Sequence, residues 1–259
     1  MSNGALEVQI AVAKVGKYAT SESGDTMEMA ERPHGGLSLV LVDGQQSGKG
    51  AKAISSLVAR KALSLLAEGV RDGAAARAAH DYLYTHRHGK VQATLNIVSV
   101  DLVSKTVVLS RNSHCPVVLV NQGQVTVLDE PSTAVGIYPH TKPAITEVPI
   151  TPALCVVVFT DGVLSAGQRY GQQLDVVPLI QSHLADRPRD AQALADALLG
   201  AAVSLDRGRP SDDISVLVVN IVPSDSESEV RRMKVSFPIL GGWETSLNLE
   251  GSERVVTLG

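Results

Sequence analysis

The chain alternates short apolar runs with polar turns over most of its length, and this pattern predicts many β-strands. The runs are rich in β-branched residues and are bounded by Gly, Pro, Asn or Asp, which is typical of strands. The predicted strands are 6–14, 36–43, 91–101, 105–111, 116–121, 124–128, 145–150, 154–160 and 214–222. The dipeptide Gln122-Gly123 between two of them predicts a hairpin with a two-residue turn.

Helical spacing of apolar residues is concentrated in 48–68, 73–87 and 190–204, with a weaker pattern at 174–184. In the first of these segments the apolar residues near one face are Ile54, Leu57, Val58, Leu65 and Leu66. Two helices therefore precede a long series of consecutive strands, and the other helices follow it. This order predicts an α+β domain of packed layers rather than a doubly wound parallel sheet.

The composition changes near residue 224. The segment PSDSESEV, which begins at Pro223, is polar and acidic and is typical of a linker. The tail beyond it contains two or three strand-like pieces around Gly241-Gly242 and is too short to hold a core alone. We therefore predict one domain over residues 1–223, followed by a linker and a strand-rich C-terminal extension over residues 224–259.

The composition also argues against several classes of protein. A net charge of −4, without a basic stripe and interleaved aromatic residues, argues against a nucleic-acid partner. No apolar stretch approaches the ~20 residues that span a bilayer, and the opening MSNGALEVQI lacks the pattern of a signal peptide. We therefore expect a cytoplasmic protein without a membrane partner. Cys115 and Cys155 lack CxxC spacing, which predicts small buried side chains rather than a disulfide or metal pair.

The segment LSLVLVDGQQSGKGAKAISSL, from position 37, has the outline of a P-loop: an apolar strand, a glycine-bearing turn with a lysine, and a helix. A P-loop requires G-x-x-x-x-G-K-[ST]. Here only three residues separate Gly44 from Gly48, and Gly50 stands where a hydroxyl residue is required. The first glycine position of that motif is occupied by Asp43. The sequence therefore excludes a P-loop and leaves a carboxylate at the end of an apolar strand.

Three carboxylate sites share one local pattern, an apolar strand that meets a turn. They are Asp43-Gly44 after LVLV, Asp161-Gly162 after CVVVFT, and Asp212-Asp213 before ISVLVV. An isolated ionised carboxylate is costly to bury, and converging carboxylates repel one another unless a cation lies between them. Oxygen ligands of this kind suit Mg²⁺ or Mn²⁺. One Asp-Gly pair would indicate only a turn, but the three sites together favour a metal centre.

An ordered set of motifs carries a resemblance to a known family. The motifs are SESGD (21–25), VDGQQSGKGAKA (42–53), ATLNIVSVDL (93–102), NSHCPVVLV (112–120), AVGIY (134–138), VVFTDGV (157–163) and DDISVLVV (212–219). In this order and spacing they resemble the metal-dependent PPM (PP2C-type) protein phosphatases. Within these they are most similar to the bacterial branch of sporulation stage II protein E and the Rsb-type stress-response phosphatases. The resemblance covers roughly residues 6–222.

This resemblance implies a PP2C-like fold, a four-layer α-β-β-α sandwich of two antiparallel sheets flanked by helices. It also implies a centre of two Mn²⁺ or Mg²⁺ ions, bridged by Asp43, with the carbonyl of Gly44 as a ligand of the second ion. Asp161 and Asp212 would complete the protein ligands of the first ion. The further candidate ligands are Asp25, through water or a third ion, and Asp213, which falls on a variable position of the DDIS motif.

The implied activity is that of a serine/threonine protein phosphatase. The resemblance implies that Asp43, Asp161 and Asp212 would act through bound metals and water, and that a metal-bridging hydroxide would attack phosphorus without a phosphoenzyme. The expected substrate is a phosphorylated STAS-domain protein, an anti-anti-sigma factor or stressosome component of a bacterial signalling cascade. The alternatives left open are a non-catalytic, pseudophosphatase-like binding module and a hydrolase of small phosphoesters. A homodimer is also left open.

The chain departs from the family pattern at Gln46, where many relatives have glycine. Arg32 and Lys49 are the candidates for a basic residue that binds phosphate. The histidines in HDYLYTHRHGK (His80, His86 and His88) form a candidate metal cluster, but a solvated helix end is the favoured interpretation. For His114, in NSHCP, we expect a structural hydrogen bond rather than a catalytic role.

Overall fold

The computed structural model describes residues 5–187, 190–224 and 230–236. The chain divides into a first unit, residues 1–225, and a second unit, residues 226–259. In the second unit the described residues, 230–236, form no helix or strand. The rest of the predicted C-terminal extension lies outside the described residues, so its strands remain a prediction.

The first unit contains two five-stranded sheets in which every strand pair is antiparallel. One sheet consists of β1 (Leu6–Val15), β6 (Val117–Asn121), β7 (Gln124–Leu128), β9 (Leu154–Phe159) and β10 (Ile214–Pro223). Its strand order is β1-β10-β9-β6-β7. The other consists of β2 (Asp25–Glu31), β3 (Gly36–Gly44), β4 (Ala93–Asp101), β5 (Thr106–Asn112) and β8 (Ala144–Pro149), in the order β2-β3-β4-β5-β8.

The helices lie on the outer faces of the two sheets. They are α1 (Gly48–Ala67), α2 (Asp72–Arg87), α3 (Asp161–Ser165), α4 (Val176–Asp186) and α5 (Ala191–Leu205), with a short 3₁₀ helix at Gln168–Tyr170. Helices α1 and α2 share an apolar core with β3 and β4, whereas α4 and α5 share one with β9 and β10. A third core, which includes Leu39, Leu41, Val156 and Leu217, lies between the sheets. These layers confirm the predicted α-β-β-α sandwich.

Most predicted elements are present with small changes of boundary. The turn at Gln122-Gly123 joins β6 and β7, and both residues have positive φ (50° and 83°), as this type of hairpin turn requires. Sequence analysis missed β2 and α3. It predicted correctly that Cys115 and Cys155 are buried free thiols, and burial raises the pKa of each to about 12. Among the described residues, no helix has the length and apolar character needed to cross a bilayer.

Candidate metal centre

Four strand ends, two from each sheet, carry acidic residues to one end of the sandwich. Asp25 begins β2 and lies directly opposite Asp43, near the end of β3. In the other sheet, β9 ends just before Asp161, and the paired strand β10 begins just after Asp212-Asp213. Because β9 and β10 are antiparallel, the end of one and the start of the other occupy the same edge.

Asp25 connects the two sheets through one of its carboxylate oxygens. Its Oδ2 accepts hydrogen bonds from Oγ of Ser215 (2.6 Å) and Oγ1 of Thr160 (3.0 Å), which belong to the β10 and β9 side of the site. Oδ1 is buried and has no hydrogen-bond partner among the described residues. Burial raises the pKa of Asp25 to about 6, although the two hydroxyl donors lower it. A buried carboxylate oxygen without a donor is suited to a cation or a water molecule.

Asp43 has the most strongly perturbed acid group of the site. Burial, together with the negative charges of Asp25, Asp161, Asp212 and Asp213, raises its pKa to about 9. The carboxylate is therefore surrounded by like charges from both sheets. Such a concentration of acids is unfavourable by itself and is typical of a site that binds cations.

Asp161 begins the short helix α3, and Gly162 allows that helix to approach the backbone of β10. A Cβ atom at Gly162 would lie 2.1 Å from the carbonyl oxygen of Asp213, so glycine is required there. Burial raises the pKa of Asp161, and the charge of Asp212 adds to the shift. His114 Nε2 lies 3.6 Å from Asp161 Oδ2, and the His114 side chain is 60% exposed. His114 therefore lies beside the acidic cluster in a solvent-accessible position, which differs from the structural hydrogen bond expected from the sequence.

The neighbouring residues Asp212 and Asp213 have different surroundings. Asp213 is buried, and its two carboxylate oxygens accept hydrogen bonds from the backbone N–H groups of Lys17 (2.9 Å) and Gly24 (2.8 Å). These bonds hold the loop between β1 and β2 against β10. Asp212 Oδ1 accepts one bond, from the backbone N–H of Asp213 (2.9 Å). Asp212 is thus the freer of the two carboxylates, and Asp213 has a structural task that accounts for its burial.

The loop after Asp43 is shaped by two residues with special backbone requirements. A Cβ atom at Gly44 would lie 2.1 Å from the carbonyl oxygen of Ala51 in α1, so no other residue fits without a shift of that helix. Gln46 adopts φ of 74°, a left-handed conformation that glycine adopts readily and other residues do not. Glutamine at this position therefore keeps the backbone shape for which glycine is better suited.

Sequence analysis missed two lysines at this site. The Nζ atoms of Lys14, on β1, and Lys52, on α1, both donate to the backbone carbonyl oxygen of Asp25, at 2.5 and 2.8 Å. Lys52 also donates to Oγ1 of Thr26 at 2.9 Å. The sequence shows only that Lys14 lies near the end of the apolar strand segment AVAKV and that Lys52 lies among small residues at the start of α1. Neither pattern indicates the partner of the lysine.

Other residues singled out from the sequence lie elsewhere. Arg32 follows the far end of β2 from Asp25, and its guanidinium contacts Asp72 Oδ2 (3.4 Å) and Oγ of Ser38 (3.0 Å) in a buried network. It is therefore occupied in a structural role. Lys49 is exposed in the first turn of α1. The predicted solvated histidine group is wrong for His80, which is buried and whose Nδ1 accepts from the backbone N–H of Gly136, while His86 and His88 are exposed.

The comparison of the sequence with family models decides the family. The model of the stage II sporulation protein E (SpoIIE) family matches residues 33–222, which is well over half of the chain. The chain belongs to the SpoIIE family. The match includes the loops that carry Asp43, Asp161 and Asp212, and the predicted membership of the SpoIIE-type branch of the PP2C phosphatases is confirmed. A sequence search of curated proteins found no match.

Solved structures share the fold of this SpoIIE-family chain. The PP2C phosphatase domain of SpoIIE from Bacillus subtilis, with a fragment of its regulatory domain, has a TM-score of 0.74 and 18% identity, covering 87% of this chain and 66% of that one. The RsbU and RsbW domains of a Mycobacterium tuberculosis protein have a TM-score of 0.67 and 20% identity, covering 85% and 61%. The catalytic domain of the phosphatase PstP, solved with two manganese ions, has a TM-score of 0.61 and 15% identity, covering 84% and 100%.

The donor set at the SpoIIE-family site fits a hard divalent cation. It consists of carboxylate oxygens, among them the buried Oδ1 of Asp25, which has no hydrogen-bond partner among the described residues. However, the part of the chain that the structure describes contains no group of three or more His, Cys, Asp or Glu side chains arranged to hold one ion. The carboxylates are therefore not placed so that three of them contact a single ion. This arrangement is compatible with Mg²⁺, which is usually bound through one or two carboxylates and keeps several water ligands.

Proposed function

We propose that this chain is a metal-dependent protein phosphatase that hydrolyses phosphoserine or phosphothreonine, with two Mn²⁺ or Mg²⁺ ions held near Asp43. The observation that carries the proposal is the meeting of Asp25 and Asp43 from one sheet with Asp161 and Asp212 from the other, in a chain of the SpoIIE family. The mutual repulsion of these carboxylates is relieved when cations lie between them, and a cluster of this kind on a rigid sandwich is suited to bind phosphoryl groups through metal ions.

The candidate ligands are Asp43, the Gly44 carbonyl, Asp161 and Asp212, with Asp25 as a further ligand, directly or through water. When bound, two divalent cations lower the pKa of a water molecule and neutralise charge on the phosphoryl oxygens. The protein's own task is to hold the ligands in place. Ser215 and Thr160 orient the Asp25 carboxylate, whereas Lys14 and Lys52 hold its backbone carbonyl. None of these contacts provides a protein nucleophile.

The proposed substrate is a phosphorylated STAS-domain protein of a bacterial signalling cascade. Support comes from the fold shared with the RsbU and RsbW domains and from a further neighbour described in work on the bacterial stressosome (TM-score 0.61). A phosphorylated serine or threonine carries about −1.5 to −2 charges. Such a group is attracted to metal ions, whereas an unloaded acidic cluster repels it.

The test is hydrolysis of para-nitrophenyl phosphate and of a phosphoserine peptide with Mn²⁺, with and without a chelator. We expect Asp43→Asn and Asp161→Asn to lower kcat/KM by at least about 100-fold, because each removes a charged metal ligand. The matched control is Asp186→Asn, which removes an exposed carboxylate at the end of α4 and should leave the rate unchanged.

Two outcomes would contradict the proposal. One is an inactive wild-type protein at every Mn²⁺ and Mg²⁺ concentration, which would favour the pseudophosphatase-like binding module. The other is activity that survives chelation or the Asp161→Asn substitution. Loss of activity in the site variants with retention in Asp186→Asn would support the two-metal assignment.

A further inference from the structure

Three loops beside the acidic cluster together form an exposed basic and aromatic surface. They are the β1–β2 loop near Tyr18, the 3₁₀ helix after α3, and the α5–β10 loop, residues 206–211. We call this surface the arginine–tyrosine patch and define it by its exposed side chains: Tyr18, Arg169, Tyr170, Arg207 and Arg209.

The patch is held together by contacts between its loops. The guanidinium carbon of Arg207 lies 3.9 Å from the centre of the Tyr170 ring, and that of Arg209 lies 5.3 Å from the centre of the Tyr18 ring. The backbone N–H of Tyr18 donates to the carbonyl of Pro210 at 2.9 Å. Asp206 is buried beneath these loops and accepts from the backbone N–H groups of Gly167 (2.8 Å) and Ser211 (2.6 Å). These contacts hold the three loops together as one surface.

The positive charges of the patch are available to a partner. Within the described ranges, no acidic side chain forms an ion pair with Arg169, Arg207 or Arg209. Asp206, the nearby acid, is hydrogen-bonded to backbone groups, and its charge interacts with that of Arg169 without a direct ion pair. An arginine that stacks on a tyrosine face keeps the N–H groups at the edge of its guanidinium free for a bidentate bond to a carboxylate. The patch thus presents three exposed arginines in a chain whose net charge is −4.

The patch adjoins the candidate metal centre along the chain and through hydrogen bonds. The α5–β10 loop that carries Arg207 and Arg209 continues directly into Asp212 and Asp213. The β1–β2 loop that carries Tyr18 is attached to Asp213 through the backbone N–H of Lys17. When the phosphorylated residue of a peptide reaches the metal centre, the residues on either side of it would therefore lie over or near the patch.

We propose that the arginine–tyrosine patch binds acidic residues that flank the phosphorylated serine or threonine of a protein substrate. The inference rests on the proposed phosphatase function and narrows its substrate class to phosphoproteins with Asp or Glu beside the phosphorylation site. Charge complementarity supports it, because three exposed arginines without ion pairs among the described residues attract carboxylates and repel basic sequences.

The experiment compares three substrates at saturating Mn²⁺: a phosphoserine peptide with glutamate at the flanking positions, the same peptide with glutamine there, and para-nitrophenyl phosphate. The test variant is Arg207→Gln with Arg209→Gln, which keeps polar side chains and removes two charges. We expect kcat/KM for the glutamate peptide to fall roughly three- to tenfold, through KM, as is usual for two solvent-exposed charge pairs. The rates with the other two substrates should stay within about twofold, and 0.3 M salt should abolish the wild-type preference for glutamate.

The matched control is Arg60→Gln with Arg77→Gln, which removes two exposed arginines from α1 and α2, the helices on the opposite outer layer. This control should leave all three rates unchanged. Thermal melting verifies that both double variants fold. Because Arg207 has φ of 53°, Arg209→Gln alone serves as a second variant if the double variant melts early.

The proposal is overturned if the patch variant lowers the rates with all three substrates equally, or if the wild type does not prefer the glutamate peptide. Binding of the unphosphorylated glutamate peptide, measured by fluorescence anisotropy, separates this outcome from failure of the proposed function. If para-nitrophenyl phosphate is not hydrolysed but the peptide binds through Arg207 and Arg209, the proposed peptide binding by the patch is supported and the proposed phosphatase function is contradicted. Tighter binding of a single-stranded oligonucleotide than of the peptide would instead assign the patch to nucleic acid and overturn the proposal.

Discussion

Gly44 shows how closely helix α1 approaches the loop of the candidate metal centre. The Cβ of an alanine at this position would lie 2.1 Å from a backbone oxygen of α1, which no side-chain rotation relieves. We expect Gly44→Ala to destabilise the protein by about 1–3 kcal/mol or more, as overpacked sites do. It should also lower phosphatase activity, since α1 must shift away from the loop. Urea unfolding and the para-nitrophenyl phosphate assay measure the two effects.

Gly50, in the first turn of the same helix, provides the matched control. A Cβ there would meet no atom within 4 Å, and alanine is a better helix former than glycine by up to about 1 kcal/mol. Gly50→Ala should therefore leave stability unchanged or raise it, with normal activity. Equal effects of the two substitutions would show that the close approach of α1 to Gly44 does not determine the site.

At the scale of single residues, the sequence was informative where an acid stands at the end of an apolar strand. Asp43 and Asp161 could be singled out in this way because both the strand and the turn are local patterns. The contacts of Asp25 could not, because its donors Thr160 and Ser215 lie 135 and 190 positions away in the chain. Lys14 and Lys52 were missed for the same reason, since nothing in their own segments indicates the carbonyl that they share.

At the scale of elements, the apolar strands and long helices were predictable and the exceptions have physical causes. Strand β2, DTMEMAE, is an edge strand of its sheet and carries three charged residues, Asp25, Glu28 and Glu31, so it lacks the apolar run of the central strands. Helix α3 has only five residues and is too short to show a helical period. Both elements carry a residue of the site, so the missed elements are concentrated at the acidic cluster.

The loop between α5 and β10 is held by Asp206, and this makes part of the stability depend on pH. Burial raises the pKa of Asp206, but hydrogen bonds from the backbone N–H groups of Gly167 and Ser211 outweigh it, and the net pKa is below the ordinary value. The folded state therefore binds fewer protons than the unfolded chain. The stabilisation is complete above the unfolded pKa of about 3.9 and is lost as the pH falls through the lower, folded value.

We expect Asp206→Asn to lower the free energy of unfolding at pH 7 by about 1–3 kcal/mol, the usual range for hydrogen bonds to a charged group. The difference between wild type and variant should shrink below about pH 4, because the wild-type carboxylate then becomes protonated. Urea unfolding at pH 7, 5 and 3.5 measures this dependence. Asp186→Asn, at an exposed position, should differ from the wild type by less than about 0.5 kcal/mol at each pH. A difference for Asp206→Asn that stays constant with pH would contradict this role of its charge.

At the scale of the whole molecule, the candidate metal centre is where the two sheets share an unfavourable electrostatic interaction. Asp25 and Asp43 extend from one sheet, and Asp161 and Asp212 from the end and start of two strands of the other. The negative charges around Asp43 repel one another across the junction of the sheets. Cations bound there would replace this repulsion with attraction and join the two halves of the sandwich, so metal binding should stabilise the entire first unit.

We expect Mn²⁺ at 100 times its dissociation constant to add about 2.7 kcal/mol of stability, which corresponds to a rise in Tm of roughly 5–10 °C for a domain of this size. Asp43→Asn should melt above the wild type in chelator, because burial and the neighbouring acids raise the pKa of Asp43 and make folding with this carboxyl group costly at neutral pH, a cost that asparagine does not have. The variant should gain little from Mn²⁺. The wild type should therefore have the lower Tm in chelator and the higher Tm with Mn²⁺. The Tm of Asp186→Asn should equal that of the wild type in both conditions. Thermal melting measures this without reference to catalysis. The prediction is contradicted if Asp43→Asn has a lower Tm than the wild type in chelator and if Mn²⁺ raises the Tm of both proteins equally. Asp43 would then neither destabilise the metal-free protein nor bind the ion.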